Sequence, residues 1–260
     1  MNIFVFDIET VPDIKSGRQL YNLADLTDEE VAQAMFKLRR QESGTNFLRL
    51  HLQRIVAISV VLRTRDQLKV WSLGDPESTE KELIERFFSG LEKFSPTLVS
   101  WNGGGFDLPV LHYRALLHGV SAPQYWETGD SDQSFRWNNY LSRYHYRHTD
   151  LMDIIAAYQP RANAPLDEIA VMLGLPGKMG MHGDQVWHYF SQGNVEAIRN
   201  YCETDVLNTY LIYLRFELIR GKLTPQRYEE ECQRVRQLLQ SESKPHWQEF
   251  LNIWSSATHE

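Results

Sequence analysis

The sequence predicts an α/β fold, a mixed sheet flanked by helices with a helical C-terminal extension. Three observations predict it. The chain opens on a continuous apolar run, NIFVF at 2–6, that reads as a buried central strand. Two further strand-like runs, 55–62 and 68–73, face each other across turn residues as an antiparallel hairpin. An amphipathic helix at 78–94 then feeds back into a strand at 97–102, the pattern of a parallel crossover, so both pairing directions meet in one sheet.

Taken in order, the first strand ends in the acidic FDIET, and a polar stretch follows Pro12. Residues 27–43 carry Val31, Met35 and Leu38 at helical spacing, with Thr27 and Glu30 placed as a capping box, which reads as a helical insertion within 12–54. The helix at 78–94 gathers Leu83, Phe87, Leu91 and Phe94 on one stripe, and another helix runs from Phe106 to Leu117. Residues 120–149 have little periodicity and many aromatic and basic side chains, as a long functional loop does. Helical spacing returns at 166–174, 184–191, 194–220, 225–240 and 245–254, broken by glycines such as Gly174, Gly183 and Gly193 and by Pro245. No repeat or proline-rich linker marks a boundary, so 223–260 reads as a helical extension of the domain formed by 1–222.

With 42% apolar and 23% charged residues, the 260-residue chain has the makings of a folded core and is unlike a disordered one. A net charge of −7 repels polyanions, so contact with nucleic acid requires a local basic patch or bound divalent cations. The two cysteines, Cys202 and Cys232, form no CxxC and suggest neither a zinc site nor a disulfide framework. NIFVF is too short for the apolar region of a signal peptide, and no run of about 18 apolar residues occurs, so the expectation is a soluble, cytoplasmic protein without a membrane partner.

Three local patterns carry chemistry. Asp7 and Glu9 share one face of the first strand, because side chains alternate with a period of two. Paired carboxylates suit hard cations such as Mg²⁺ or Mn²⁺, although a chain of this acidity contains about one such triplet by chance. Trp101-Asn102-Gly103-Gly104-Gly105-Phe106-Asp107 links a strand to a helix, where Asp107 is also placed to complement the helix dipole. Tyr201 and Asp205, four apart on a late helix, share a face that borders apolar residues, where an unpaired carboxylate is costly.

Together, FDIETVPD, NGGGFDLPVL and YCETDVLNTYL resemble the exonuclease motifs of the DEDD superfamily. The tyrosine subtype fits, since the histidine subtype requires His where this chain has Asn200. Within it the chain is similar to stand-alone bacterial relatives of the proofreading domains of family-B DNA polymerases, over roughly residues 1–220. The resemblance implies a ribonuclease H-like fold whose Asp7, Glu9, Asp107 and Asp205 bind two divalent cations, Mg²⁺ or Mn²⁺. In that scheme Asp7 bridges both ions, Glu9 and Asp205 hold the one that activates water, Asp107 serves the second, and Tyr201 hydrogen-bonds the attacking water. The implied partner is the 3′ end of single-stranded nucleic acid, DNA in preference to RNA, with an exoribonuclease or a catalytically silent binding module as the alternatives.

Candidate substrate contacts are Asn102 and Phe106 beside Asp107, Lys178 in the glycine-rich 177–187 stretch, and Arg136, Arg143 and Arg147 among the aromatic rings of 124–148. A satellite apolar cluster pinning a long loop explains those rings equally well. Asp150 and Asp153 sit at what reads as a strand-to-helix junction, as helix N-terminal acids or as supports for the site.

Overall fold

The apolar opening run becomes the middle strand of a five-stranded mixed sheet ordered β3-β2-β1-β4-β5. In the computed structural model, which describes residues 2–257, the strands are β1 (Ile3–Pro12), β2 (Gln53–Arg63), β3 (Leu68–Ser72), β4 (Thr97–Ser100) and β5 (His148–Asp150). The helices are α1 (Ile14–Tyr21), α2 (Asp28–Ser43), α3 (Glu80–Phe94), α4 (Asp107–His118), α5 (Pro123–Trp126), α6 (Leu151–Ile155), α7 (Leu166–Met172), α8 (Val186–Ser191), α9 (Val195–Ile219), α10 (Pro225–Ser241) and α11 (Pro245–Ala257). β2 pairs antiparallel with β3, as the hairpin spacing predicts, and β1 pairs antiparallel with β2 and, across the crossover, parallel with β4. This is the mixed sheet flanked by helices of a ribonuclease H-like fold.

Alternation along β1 divides the core into two layers. Phe4, Phe6 and Ile8 pack with Leu83, Phe87 and Leu91 of α3 and Leu108 and Leu111 of α4. Phe87 sits 5.9 Å from the Phe4 ring and 5.0 Å from that of Phe6. Val5 points the other way, into a cluster with Val206, Leu207 and Tyr210 of α9 and Trp247 and Phe250 of α11. Val11 meets Ile198, Tyr201 and Cys202 on the same side. Asp7 and Glu9 therefore share a side with α9. The β1–β2 register skips Val56, so the extra residue lies on β2 and the alternation on β1 is undisturbed.

The first strand extends through the acidic segment to Pro12, instead of ending at residue 6, because β2 pairs with it along the whole length to Gln53. Long-range ladder hydrogen bonds override the polar sequence there. The polar stretch after Pro12 holds α1, capped by Asp13, whose Oδ1 accepts from Ser16 N at 3.1 Å. α2 carries the expected capping box, Thr27 with Glu30. Segment 120–149 is less open than its sequence suggests. It holds α5 and runs into the short strand β5, and its Tyr125, Phe135 and Tyr140 are buried in the α3/α4 layer.

Two buried ionic knots fasten the periphery. Arg114 of α4 donates to both carboxylate oxygens of Glu80, at 2.7 and 2.6 Å, and to Asp13 at 2.5 Å, joining α1, α3 and α4. On the opposite layer Glu203 of α9 accepts from Ser72 N at 3.1 Å, Lys244 Nζ at 3.2 Å and the Trp247 indole at 3.0 Å, with His246 Nε2 at 2.8 Å. Burial acts to raise the Glu203 carboxyl, but the hydrogen bond from His246 and the charge of Lys244 hold it below the usual carboxylate range. The start of α11 is thereby bound to the helix that carries Tyr201 and Asp205.

Candidate active site

Beyond Val5, paired with Val99, β1 runs on without β4. On the flank that β4 leaves, Ile8 N donates to Asp107 Oδ1 at 3.2 Å, which draws the head of α4 against the strand beside Asp7 and Glu9. The glycine turn makes this approach possible. Asn102 takes a left-handed φ of 64°, and a side-chain carbon on Gly103 would collide with Ser100. Asp150, at the end of β5, clamps the turn by accepting from Asn102 N at 2.9 Å and Gly104 N at 2.8 Å. It also caps α6, so it both supports the site and serves as a helix N-terminal acid, and Asn102 acts as a turn residue through its backbone.

α9 supplies the third side. Tyr201 and Asp205 lie one turn apart, and the tyrosine hydroxyl stands near enough to the Asp205 carboxylate to act against the upward push of burial on it. Between them Cys202 donates its thiol to the Asp7 carbonyl oxygen at 3.4 Å and lies 3.6 Å from Asp7 Oδ2. Ligand atoms of Asp7, Glu9 and Cys202 fall within 4.8 Å of one another. Lys178 stands near enough to Glu9 and Asp205 to lower both, on a loop tethered by Asp167 Oδ1 to its N–H at 2.6 Å and by Asn208 Nδ2 to the Gly177 carbonyl at 2.9 Å.

The electrostatics follow from burying like charges together. Asp7 is pushed well above the carboxylate range first by burial, then by Asp107, Glu9 and Asp205. Glu9 is raised likewise by burial and by Asp205 and Asp107, against which Lys178 is a partial offset. Burial lifts Asp107 to about 7 despite the backbone hydrogen bonds it accepts, and lifts Asp205 to about 6 despite Tyr201 and Lys178. Burial, with the surrounding carboxylates, also drives the Tyr201 hydroxyl and the Cys202 thiol upward, so both keep their protons.

One lysine does not balance four carboxylates, and Asp205 Oδ1 is buried without a hydrogen-bond partner. Such a site fits a divalent cation. Its donors are carboxylate oxygens, with the Cys202 thiol beside those of Asp7 and Glu9. The structure thus brings Asp7, Glu9, Asp107, Tyr201, Asp205 and Lys178 into one place. The arginines of segment 124–148 are occupied within their own neighbourhood. Arg143 pairs with Asp153 at 2.6 Å, Arg147 lies 3.7 Å from the Phe135 ring centre and donates to the Asn138 carbonyl at 2.6 Å, and exposed Arg136 lies 5.6 Å from that of Trp137. Sequence reasoning missed Cys202, although its place three residues before Asp205 puts it on the same part of the helix surface.

Residues 45–254 match the family described as predicted 3′–5′ exonucleases related to the exonuclease domain of PolB. The chain is similar to the DNA polymerase of Archaeoglobus fulgidus, 26% identical over 161 residues, which are 61% of this chain and 19% of that polymerase. The catalytic polypeptide of DNA polymerase epsilon from Emericella nidulans is 27% identical over 150 residues, 54% of this chain and 6% of that polypeptide. Its counterpart from Schizosaccharomyces pombe is 25% identical over 146 residues, again 54% of this chain and 6% of the relative. The chain thus spans no more than 19% of the length of these relatives.

Proposed function

Since the chain belongs to the family of predicted 3′–5′ exonucleases related to the exonuclease domain of PolB, we propose that it removes nucleotides one at a time from the 3′ end of single-stranded DNA in a reaction requiring two divalent cations, Mg²⁺ or Mn²⁺. The observation that carries this reading is the meeting of Asp7, Glu9, Asp107 and Asp205, with Tyr201, in a buried site whose negative charge lacks a matching cation. Asp7, Glu9, Asp107 and Asp205 hold the ions. When bound, such ions make water a better nucleophile and stabilise charge developing on the phosphate.

The protein's own groups do the positioning. Water attacks the terminal phosphorus, the bond to the preceding 3′ oxygen breaks, and a nucleoside 5′-monophosphate leaves a strand with a new 3′ hydroxyl. Tyr201 acts as a hydrogen-bond donor that orients water, because its hydroxyl keeps its proton and so is no base. Asp150 keeps Asp107 in place through the glycine turn, and Lys178 offers the phosphate a positive charge beside Glu9. A cytoplasmic location accompanies the reading, supported by two unpaired cysteines. Among the described residues no helix is long and apolar enough to cross a membrane.

The test is release of mononucleotides from matched single-stranded DNA and RNA, labelled at the 5′ end, with Mg²⁺, with Mn²⁺ and with chelator. Stepwise shortening of DNA from its 3′ end, lost with chelator and lost in Asp107→Ala while the thermal transition persists, is the expected result. Preferential shortening of RNA would reassign the substrate, and no shortening of either strand would remove the activity.

A further inference from the structure

The buried thiol of Cys202 has no part in the binding of hard cations. Mg²⁺ and Mn²⁺ favour oxygen, so a sulfur beside them adds nothing to their hold. Cys202 nevertheless stands among the acids. Its sulfur lies 3.4 Å from the Asp7 carbonyl oxygen and 3.6 Å from Asp7 Oδ2, and ligand atoms of Asp7, Glu9 and Cys202 all fall within 4.8 Å of one another. Asp7 and Cys202 are 195 residues apart in the sequence, and no cysteine spacing announces a soft-metal site. The packing of α9 on β1 brings the three donors together.

The spacing is that of two donors on one tetrahedral ion. Zinc bonds of about 2.3 Å to sulfur and about 2.0–2.2 Å to a carboxylate oxygen, opened to the tetrahedral angle, set the donors about 3.6 Å apart. Cys202 Sγ and Asp7 Oδ2 stand at that separation, 3.6 Å. With Glu9 the chain offers three donors and leaves a fourth position for water. Asp205 Oδ1, on the same helix three residues on, is buried without a hydrogen-bond partner, so negative charge near the sulfur is left uncompensated. Among the described residues Cys232 belongs to no such group; it sits in the apolar layer with Val235 and Leu239. We propose that Asp7, Glu9 and Cys202 form a site for a thiophilic divalent cation, Zn²⁺ above all, which overlaps the catalytic one and stops nucleotide release when filled. The inhibition, though not the binding, rests on the exonuclease reading above. As the metal–sulfur bond forms, the thiol proton passes to solvent. Asp7 and Glu9 are then drawn into a four-coordinate arrangement and no longer serve two hard cations.

The test uses the full chain, with Cd²⁺ as the spectroscopic probe and Zn²⁺ as the inhibitor. Cd²⁺ bound to a thiolate gives an ultraviolet charge-transfer band that carboxylates alone do not. The band is expected to saturate at one ion per chain in wild type and in Cys232→Ser, and to be missing in Cys202→Ser and Cys202→Ala. Zn²⁺ should inhibit nucleotide release in Mg²⁺, each protein being measured against its own rate without Zn²⁺. Cys202→Ser should raise the inhibiting concentration on the order of tenfold or more, since loss of a group that merely supports a metal ligand already costs about 10- to 100-fold. No band in wild type, or a band lost in Cys232→Ser, overturns the site whether or not the Cys202 variants fold. Equal Zn²⁺ sensitivity in wild type and Cys202→Ser overturns it too, and release in Mg²⁺ then leaves the exonuclease reading standing. A band that depends on Cys202, without release in Mg²⁺, upholds the cation site and overturns the exonuclease reading. Neither band nor release from wild type overturns both.

Discussion

Without cations, raising the pH turns the four carboxylates into a load on the fold. Asp107, ordinarily at 3.8, gives up its proton in the folded chain only at about 7 because burial outweighs the hydrogen bonds it accepts, and Asp205 does so at about 6. Between those limits the folded chain holds protons that the unfolded chain has lost, so stability falls with rising pH by about 1.4 kcal/mol per unit per group. At about pH 5 to 6 the fall is masked. His112 and His148, buried and neutral, titrate at about 4 instead of 6.5, and their contribution to stability rises with pH by the same increments over that range. Above about 6.5 the histidines are neutral in both states and the opposition ends. Asp107 is then still partly protonated, and burial holds Asp7 and Glu9 above the usual carboxylate range as well. From about pH 6.5 to 8 the metal-free protein should therefore lose on the order of 1 kcal/mol through Asp107, roughly 3 °C in Tm. Calorimetry in chelator measures this slope, and the Asp107→Asn variant should flatten it. Mg²⁺ or Mn²⁺ at a hundred times its Kd should add about 2.7 kcal/mol, with a gain that grows with pH. A wild-type slope equal to that of Asp107→Asn, or a cation gain identical at both ends of the range, would refute the reasoning.

Tyr201→Phe should keep the fold and cation-induced stabilisation but lower kcat by roughly 10- to 1000-fold, as loss of one orienting hydrogen bond does; single-turnover kinetics would show it. Glu203→Ala leaves the Trp247 indole and Ser72 N–H unpaired in the interior and should cost about 3–5 kcal/mol in denaturant titrations, with faster amide exchange in α11. Arg114→Ala strands Asp13 and Glu80 together and should be as damaging, whereas exposed Arg136→Ala should stay within about 0.5 kcal/mol of wild type. Cys202 and Cys232, buried and with thiols pushed up, should resist a thiol reagent at neutral pH until denaturant is added; rapid labelling of the native chain would contradict their placement.

Much of this was legible because local pattern and final environment agree. The hairpin, α2 with its capping box, the amphipathic α3 and the turn into α4 each bear a signal within about a dozen residues. The convergence of Asp7, Glu9, Asp107 and Asp205 was visible only through resemblance, since no single motif states what it faces. Three features were hidden for physical reasons. β1 continues through its acidic end because β2, some fifty residues on, supplies the partners. β5, only three residues long, is too short for a periodic pattern. The aromatic segment after α4 reads alike whether its rings meet substrate or core, and burial divides them: Tyr125, Phe135 and Tyr140 inward, Trp137 and Tyr144 outward.

The Glu203 knot has a mechanical meaning. The helical turn that presents Tyr201 and Asp205 on one side is gripped on the other by Lys244, His246 and Trp247, so the two faces of a single turn belong to different parts of the chain. A minimal nuclease trimmed after α9 would bare an apolar seam and release that grip.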